Sequence, residues 1–307
     1  MKSNIKIGTR GSALALWQAN WVKSAIEKRF PSVSAKLEII KTKGDRFLKA
    51  PLAEIGGKGL FVKEIEQALM DQRIDIAVHS MKDMPGDIPP GLVIGAVPER
   101  EDPRDALVSR DGLGFQDLPA GARVGTGSLR RAAQLLHRRP DIEIAPLRGN
   151  LNTRLEKLEK ENLDAIVLAV AGIRRLGLED RITQRLDADA MLPAVGQGAL
   201  CLEIRENDPE TDALTRPLNH DASRAAVEGE RAFLKRLGGD CHVPVAAHGR
   251  MEGGVLTLTG LVADVSGKKI ARHLETGRPE SAGEIGVCLA EALISRGADE
   301  ILKDFRE

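Results

Sequence analysis

The chain has 307 residues, of which 42% are apolar and 29% charged, a composition typical of globular proteins and not of disordered or fibrous ones. The chain has 45 basic residues (lysine and arginine) and 45 acidic ones (aspartate and glutamate). No net positive charge therefore attracts nucleic acid or an anionic membrane surface. Aromatic residues make up only 3%, which leaves few rings for stacking bases. We therefore expect no nucleic-acid or membrane partner, and any anion site must arise from local clustering of charges.

The sequence shows no targeting segment, no membrane-spanning run and no disulfide pattern. The first ten residues contain no apolar signal segment, and the longest apolar run, residues 165–171, is far too short to span a bilayer. Three cysteines do not make a disulfide framework. These features predict a cytoplasmic protein, and the lack of a long apolar surface stripe favours a monomer.

The first hundred residues have the pattern of a sheet wound with helices. A strand over residues 5–8 is followed by Ser12, which is suited to N-cap a helix. Strands over residues 36–42 and 74–79 flank a second helix over residues 61–70, giving a β-α-β-α-β order. The expected buried face of the first helix consists of the apolar residues at helical spacing, Leu14, Trp17, Trp21 and Ala25.

The same plan begins again in the second hundred residues. Residues 7–12 and 124–130 both combine a strand that ends in Gly-Thr with a serine that opens a helix, and residues 164–169 resemble residues 75–79. This weak internal duplication predicts two similar α/β domains that face one another across a cleft. Two chain crossings between them would permit hinge closure around a ligand.

The predicted domain boundaries follow from this pattern. Domain 1 comprises residues 1–98 and 199–217, because the apolar strand over residues 199–204 is expected to return to the first sheet. Domain 2 comprises residues 99–198. Domain 3, residues 218–307, is predicted to be a small α+β domain in which glycine turns join three antiparallel strands.

One stretch concentrates polar side chains at a strand end, Ala77-Val-His-Ser-Met-Lys-Asp-Met-Pro85. The carboxyl end of a buried parallel strand is where side chains first meet a ligand. His79, Ser80, Lys82 and Asp83 are therefore expected at an open edge of the first sheet. Taken alone, the stretch favours a solvated turn with an incidental Lys–Asp pair, and only the pattern of the rest of the chain argues for a site.

Arginines recur at predicted strand ends and in the first turns of helices. An exposed arginine at a helix N-terminus opposes the macrodipole at a cost of roughly 0.3–1 kcal/mol, so its repeated use indicates anion binding. The alternative is a set of surface arginines paired with acidic side chains. The set comprises Arg10, Arg130, Arg131, Arg148, Arg154, Arg174 and Arg175.

The ligand class can be narrowed by motif. The glycine loop around Lys58 lacks the spacing of a P-loop, and no GxGxxG sequence follows a predicted strand. Nucleotide binding is therefore disfavoured. Several separated guanidinium groups suit an extended polycarboxylate, because each can hold a carboxylate with two hydrogen bonds.

The cysteines divide into two kinds. Cys201 and Cys288 lie in apolar segments and are expected to be buried small hydrophobic residues. Cys241 lies in a glycine-containing loop beside His242, where a neighbouring imidazole favours a nucleophilic thiol. A zinc site made of Cys241, His242 and His248 matches no usual ligand spacing, so no metal is expected.

Taken together, six ordered motifs resemble those of the porphobilinogen deaminase family, also called hydroxymethylbilane synthases. The resemblance runs from Ile7 to Cys241 and continues more loosely to the C-terminus. It implies three domains, the first two similar to type II periplasmic binding proteins. The motifs occupy residues 56–64, 77–85, 99–106, 125–131, 147–150 and 192–198.

The resemblance implies a transferase of haem and tetrapyrrole biosynthesis that condenses four porphobilinogen molecules head to tail into hydroxymethylbilane, with release of ammonia. It also implies one dipyrromethane cofactor per chain, held by a thioether to Cys241. A thiolate suits this attachment because deaminated porphobilinogen is an azafulvene-like electrophile. Asp83 matches the catalytic aspartate, whose carboxylate would stabilise the cation formed as ammonia departs.

The same resemblance assigns the acetate and propionate groups of cofactor and substrate to polar residues near the strand ends. These are Arg10, Ser12, Lys58, Ser80, Lys82, Thr126, Ser128, Arg130, Arg131, Arg148, Gly149, Arg154, Arg175 and Gln197. Three positions depart from the family pattern: Glu54 replaces a lysine, Gly127 a serine and Asp240 a glycine of some members. The competing hypotheses are a relative of solute-binding proteins that holds a polycarboxylate without catalysis, and a structural protein, which would leave the arginines without a role.

Overall fold

The computed structural model describes residues 2–42, 44, 62–238 and 243–305. The strands, in chain order, are β1 (Asn4–Thr9), β2 (Ser34–Ile39), β3 (Ile76–Ser80), β4 (Leu92–Ala96), β5 (Asp105–Ser109), β6 (Arg123–Gly125), β7 (Glu143–Ala145), β8 (Ala165–Ala169), β9 (Gln184–Leu186), β10 (Leu200–Arg205), β11 (Val245–Glu252), β12 (Val255–Ala263) and β13 (Ile270–Gly277). The helices are α1 (Ala13–Arg29), α2 (Lys63–Met70), α3 (Leu129–Arg138), α4 (Leu151–Lys160), α5 (Val170–Arg175), α6 (Pro209–Thr215), α7 (Asp221–Arg236), α8 (Ala282–Ile294) and α9 (Ala298–Leu302).

The chain divides into two units, residues 1–101 with 199–224 and residues 102–198 with 225–307. The three-domain boundaries at residues 98, 198 and 217 are finer than this division and remain a prediction.

The first unit is built on a five-stranded sheet in the order β2-β1-β3-β10-β4. Strand β1 pairs in parallel with β2 and β3, whereas β10 runs antiparallel to β3 and β4. The predicted return of the strand after residue 198 to the first sheet is therefore confirmed. Helix α1 packs against one face of the sheet, and α2 packs against the other with Ile65 and Leu69.

Helix α1 confirms one prediction and corrects another. Ser12 is its N-cap, and its side chain accepts a hydrogen bond from the backbone N–H of Ala15 at 3.3 Å. The predicted buried face was wrong, because Trp17 and Trp21 are 39% and 40% exposed. Leu14 and Ala25 are only half-buried. The stripe that packs on the sheet is instead Gln18, Ala19, Val22 and Ile26.

The error on α1 has a physical cause. Two neighbouring stripes of this helix both repeat at helical spacing, so periodicity marks the helix but does not choose its inner face. Small and β-branched side chains on α1 contact the sheet, and the bulkier tryptophans remain at the surface.

The second unit contains a sheet in the order β7-β6-β8-β5-β9. Strand β6 is parallel to β7 and β8, and β5 is antiparallel to β8 and β9. This repeats the first sheet strand for strand, with β6 in the place of β1 and β8 in the place of β3. The predicted duplication is confirmed at the level of topology.

The C-terminal part of the second unit is an antiparallel sheet, β11-β12-β13, as predicted. Phe233 of α7 and Leu289 of α8 are fully buried in its core. Cys201 is buried in β10 as expected, but the expectation for Cys288 was wrong, since its side chain is exposed on α8. Helix α8 has an apolar sequence on more than one face, and only one of those faces is covered.

Candidate functional site

Four predicted site residues of the first unit line one recess. β1 and β3 are neighbours in the sheet, so the segments that follow their carboxyl ends lie side by side. Together with the start of α1 they enclose an open recess of about 60 Å³. Arg10, Ser12, Ser80 and Asp83 all border it.

The position of Asp83 follows from the end of β3. Residues Met81–Asp83 form one turn of 3-10 helix directly after Ser80. The buried side chains of Met81 and Met84 anchor this turn, and the Met81 N–H donates to the Ala199 carbonyl at 3.0 Å. Lys82 and Asp83 are left half-buried, and Asp83 faces the recess.

Gln18, which none of the sequence motifs includes, also lines the recess. Its Nε2 donates to the Ser80 hydroxyl at 2.9 Å, and its side chain is almost fully buried at 2% exposure. A glutamine inside an apolar helical stripe is the signal that could have found it, because buried amides need hydrogen-bond partners.

The corresponding edge of the second sheet carries Thr126 and Ser128. Ser128 is the N-cap of α3 and accepts a hydrogen bond from the Arg131 N–H. The Thr126 hydroxyl accepts one from the Ser128 N–H at 3.2 Å. This strand–serine–helix arrangement matches that of β1, Ser12 and α1, as the repeated motif predicted.

Arg130 and Arg131 point inward, with 4% and 6% exposure. Arg131 donates to Asp105 Oδ1 through Nε at 3.0 Å and Nη2 at 2.7 Å. Arg130 Nη1 donates to Asp105 Oδ2 at 2.8 Å. Gln197 Nε2 donates to Asp105 Oδ1 at 3.0 Å. Three predicted ligand-binding residues therefore converge on one fully buried carboxylate that the sequence analysis did not single out.

Asp105 is charged in this setting. Burial alone would raise the pKa of its carboxyl, but the guanidinium groups of Arg130 and Arg131 hold that pKa well below its usual range. One carboxylate faces two guanidinium groups, so the cluster retains positive charge. The Nε of Arg130 is buried and has no hydrogen-bond partner.

The remaining arginines of this edge differ in exposure. Arg175, at the end of α5, is buried, and its Nη2 donates to the Gly198 carbonyl at 2.7 Å. Arg148 and Arg154 are half-buried, and Arg154 Nε donates to the Gly149 carbonyl at 2.8 Å. Gly149 has φ +115°, a conformation that favours glycine.

Gly127 also has a steric explanation. A Cβ at this position would lie 2.7 Å from the Leu147 carbonyl oxygen, which is backbone and cannot swing aside. The loop after β6 thus passes close to the end of β7, and a serine at position 127 would require this backbone to shift.

Several predictions fall on residues outside the described ranges. They concern Lys58, Cys241, Glu54, Asp240 and the loop residue His242. The described residues contain no cluster of three histidine, cysteine or acidic side chains that could hold a metal ion. None of the helices in the described ranges has both the length and the apolar character of a membrane span.

Two family models match the chain. Residues 5–213 match "Porphobilinogen deaminase, dipyromethane cofactor binding domain", and residues 225–295 match "Porphobilinogen deaminase, C-terminal domain". Among solved structures, the methionine-binding protein MetQ is similar with a TM-score of 0.45 and 13% identity, covering 70% of this chain and 89% of that one. A likeness this distant carries no argument.

Curated relatives match over almost the whole chain. The porphobilinogen deaminase of Syntrophotalea carbinolica is 56% identical over 301 residues, which is 98% of this chain and 95% of that protein. The porphobilinogen deaminase of Pelobacter propionicus is 53% identical over 300 residues, covering 98% and 96% of the two chains. The resemblance noted in the sequence is confirmed, and the chain belongs to the porphobilinogen deaminase family.

Proposed function

We propose that this protein is a hydroxymethylbilane synthase, a transferase that condenses four porphobilinogen molecules head to tail with release of ammonia. Family membership over nearly the full chain supports the reaction class. The observation that carries the proposal is the recess at the end of β1 and β3, where Asp83 faces the same space as Arg10 and Ser12. A carboxylate and a guanidinium group are thus available to one small ligand.

Asp83 is the proposed catalytic carboxylate. Its half-buried oxygens can accept hydrogen bonds from pyrrole N–H groups, and its negative charge favours the cation that forms as the C–N bond to ammonia breaks. The 3-10 turn fixes Asp83 through buried neighbours, so little reorganisation is needed when charge develops.

Arg10 and Ser12 are proposed to hold the acetate and propionate groups of a ring in this recess, with Ser80 and Lys82 beside them. Guanidinium and hydroxyl donors suit carboxylates. Gln18 orients Ser80 through its 2.9 Å hydrogen bond. With the ligand carboxylates held by these donors, the negatively charged carboxylate of Asp83 can accept a hydrogen bond from the ring N–H.

Arg148 and Arg154, with Thr126, Ser128 and Gly149, are the proposed carboxylate ligands of the second sheet. Their edge bears the surplus positive charge of the Asp105 cluster. Arg130, Arg131, Arg175 and Gln197 act there chiefly through buried hydrogen bonds that fix the loops. We expect their charge, more than direct contact, to favour an anionic ligand.

The residues fit a dipyrromethane cofactor. The recess combines carboxylate-binding donors with the acceptor Asp83, which is the donor set that a pyrrole bearing acetate and propionate groups requires. Cys241 is the proposed attachment point and Lys58 a further carboxylate ligand. When bound, the group supplies the pyrrole carbon from which chain growth starts.

The rival hypothesis is a polycarboxylate-binding protein without catalysis. A binding protein needs the arginines but has no use for a carboxylate inside an anion recess, where Asp83 would repel the ligand. We further propose a monomeric, cytoplasmic enzyme, because three cysteines make no disulfide framework and the sequence has no long apolar surface stripe. Sedimentation velocity at working concentration tests the monomer, and a dimer would contradict it.

Porphobilinogen consumption and ammonia release by the purified protein test the function directly. The proposal predicts one ammonia per porphobilinogen consumed and a linear four-ring product by mass spectrometry. Saturable binding of porphobilinogen without ammonia release would instead favour the solute-binding hypothesis.

A further inference from the structure

A buried acid–base cluster adjoins the recess of Asp83 through His79. His79 Nε2 is 3.0 Å from Glu203 Oε2, and the two side chains are 3% and 0% exposed. Strand pairing explains the contact. His79 of β3 lies opposite Cys201 of β10, and Glu203, two residues further along β10, is therefore its diagonal neighbour on the same face of the sheet. His79 also lines the recess together with Asp83.

Helix α2 adds a second acid to this face. Glu66 is 4% exposed, and its Oε1 has no hydrogen-bond partner, as is also true of Glu203 Oε1. Two buried carboxyls thus accompany one imidazole, and no arginine or lysine makes an ion pair with either of them within the described residues. Burying two negative charges is costly, and a proton bound by one of these groups lowers that cost.

The reaction moves one proton in every cycle. Formation of each new C–C bond breaks the C–H bond of the attacking pyrrole carbon; the bonding electrons return to the ring and the proton leaves. Ammonia, released with the electron pair of its C–N bond, takes up one proton. A site that performs both steps benefits from a group that holds the proton between them.

We propose that Glu66, His79 and Glu203 form a buried proton store that serves the recess of Asp83, with His79 as the group that connects the store to the recess. This inference rests on the proposed function. The proton released at carbon passes from the recess to His79 and Glu66, and leaves the same way to ammonia or to water.

The electrostatics of Glu66 support this role. Burial, and next the charge of Glu203, raise the pKa of Glu66 to about 7, while His79 and Lys63 oppose the increase. Among the described residues, Arg10 and Asp83 are the other charged groups that line the recess with His79. Near neutral pH Glu66 therefore takes up and releases a proton readily, and its ionised form is the one that accepts.

The test uses full-length, cofactor-loaded protein and three variants. Glu66→Gln removes the titrating carboxyl. His79→Gln removes the imidazole that would pass protons between the recess and the buried acids, but its side-chain amide can still donate a hydrogen bond to Glu203. Glu38→Gln, on the exposed edge of β2, is the matched control. Infrared titration of protonated carboxyl groups, kcat and KM against pH, and intact mass are measured for each.

We expect wild type and Glu38→Gln to show a carboxyl band that titrates near pH 7 and a kcat that rises across the same range. Glu66→Gln should lose both the band and the rise, with kcat about tenfold lower and KM unchanged. His79→Gln should retain the band and lose the rise, a result that a purely structural role would not produce.

Unchanged pH profiles in both variants, in protein that carries its adduct and turns over porphobilinogen, would overturn the proton store and leave the proposed function intact. Retention of the pH 7 carboxyl band in Glu66→Gln would also overturn it. Wild-type protein without adduct or turnover would overturn the proposed function and the store together.

Discussion

The two five-stranded sheets share one strand order but bury opposite charges. The first sheet encloses two carboxyls, Glu66 and Glu203, around one imidazole. The second encloses two guanidinium groups, Arg130 and Arg131, around the carboxylate of Asp105. Topology alone therefore does not decide what the edge of such a sheet does.

The difference separates two tasks. In the first unit polar side chains border an open recess, and the acids nearby can exchange protons. In the second unit the arginines that flank the strand ends are largely occupied by protein groups, so they build a fixed positive field. We therefore assign catalysis to the edge of the first sheet and the attraction of anionic groups to the edge of the second. Each of the following substitutions tests that assignment.

The largest effect is expected from Asp83→Asn. The amide keeps the shape of the carboxyl but has no charge to favour a developing cation, so kcat should fall by about 10²–10⁴-fold with folding and adduct retained. Steady-state kinetics and intact mass check this, with the exposed Asp71→Asn as the matched control. Near-normal turnover would remove Asp83 from catalysis.

Asp105→Asn should act on stability. Removing the charge leaves two buried guanidinium groups without a counter-ion, which we expect to lower the free energy of unfolding by about 3–5 kcal/mol. Urea unfolding measures the loss, and the exposed Asp111→Asn serves as control. An unfolding midpoint like that of wild type would show that Asp105 does not hold the second edge together.

Glu66 and Asp105 should make the free energy of unfolding depend on pH with opposite signs. The folded-state pKa of Glu66 is raised from 4.5 to about 7, so unfolding releases a proton in that range and wild type loses up to about 3 kcal/mol as pH rises through it. The depressed pKa of Asp105 stabilises the fold above the usual aspartate range, and this contribution disappears as pH falls further. Unfolding free energies of wild type and Glu66→Gln against pH test the first slope, which the variant should lack.

Arg148→Leu should have the smallest effect on the fold. Its half-buried side chain is proposed to hold a ligand carboxylate, so a particular elongation step should slow and enzyme-bound intermediates should accumulate. The unfolding free energy should change by no more than about 0.5 kcal/mol. Arg131→Leu provides the contrast, because it breaks the Asp105 pair and should destabilise the unit.

Much of this architecture was predictable because it is encoded locally. Ser12 and Ser128 mark helix starts through hydrogen bonds within one turn, and the order of strands follows from repeated short patterns. The inner face of α1 and the partners of Arg130 were not predictable from spacing. They depend on groups brought together by the fold, such as Gln197, which meets Asp105 across 92 residues of sequence.

The candidate site shows the same limit. The polar end of β3 placed Asp83 at an open strand edge, since a buried strand that stops in charged residues is a local signal, and the family motif supplied its proposed role. Glu66 and Glu203 gave no such signal, because each is a single acid in an apolar segment and only strand pairing places Glu203 beside His79.

We propose that this chain builds its product on a pyrrole primer attached to Cys241 and uses Asp83 to extend it. Intact mass of the purified active protein, followed by peptide mapping, tests it most directly. We expect a covalent adduct of two pyrrole units on Cys241, absent from Cys241→Ser and present in Asp83→Asn. Active protein with unmodified chain mass, or an adduct on another residue, would contradict it.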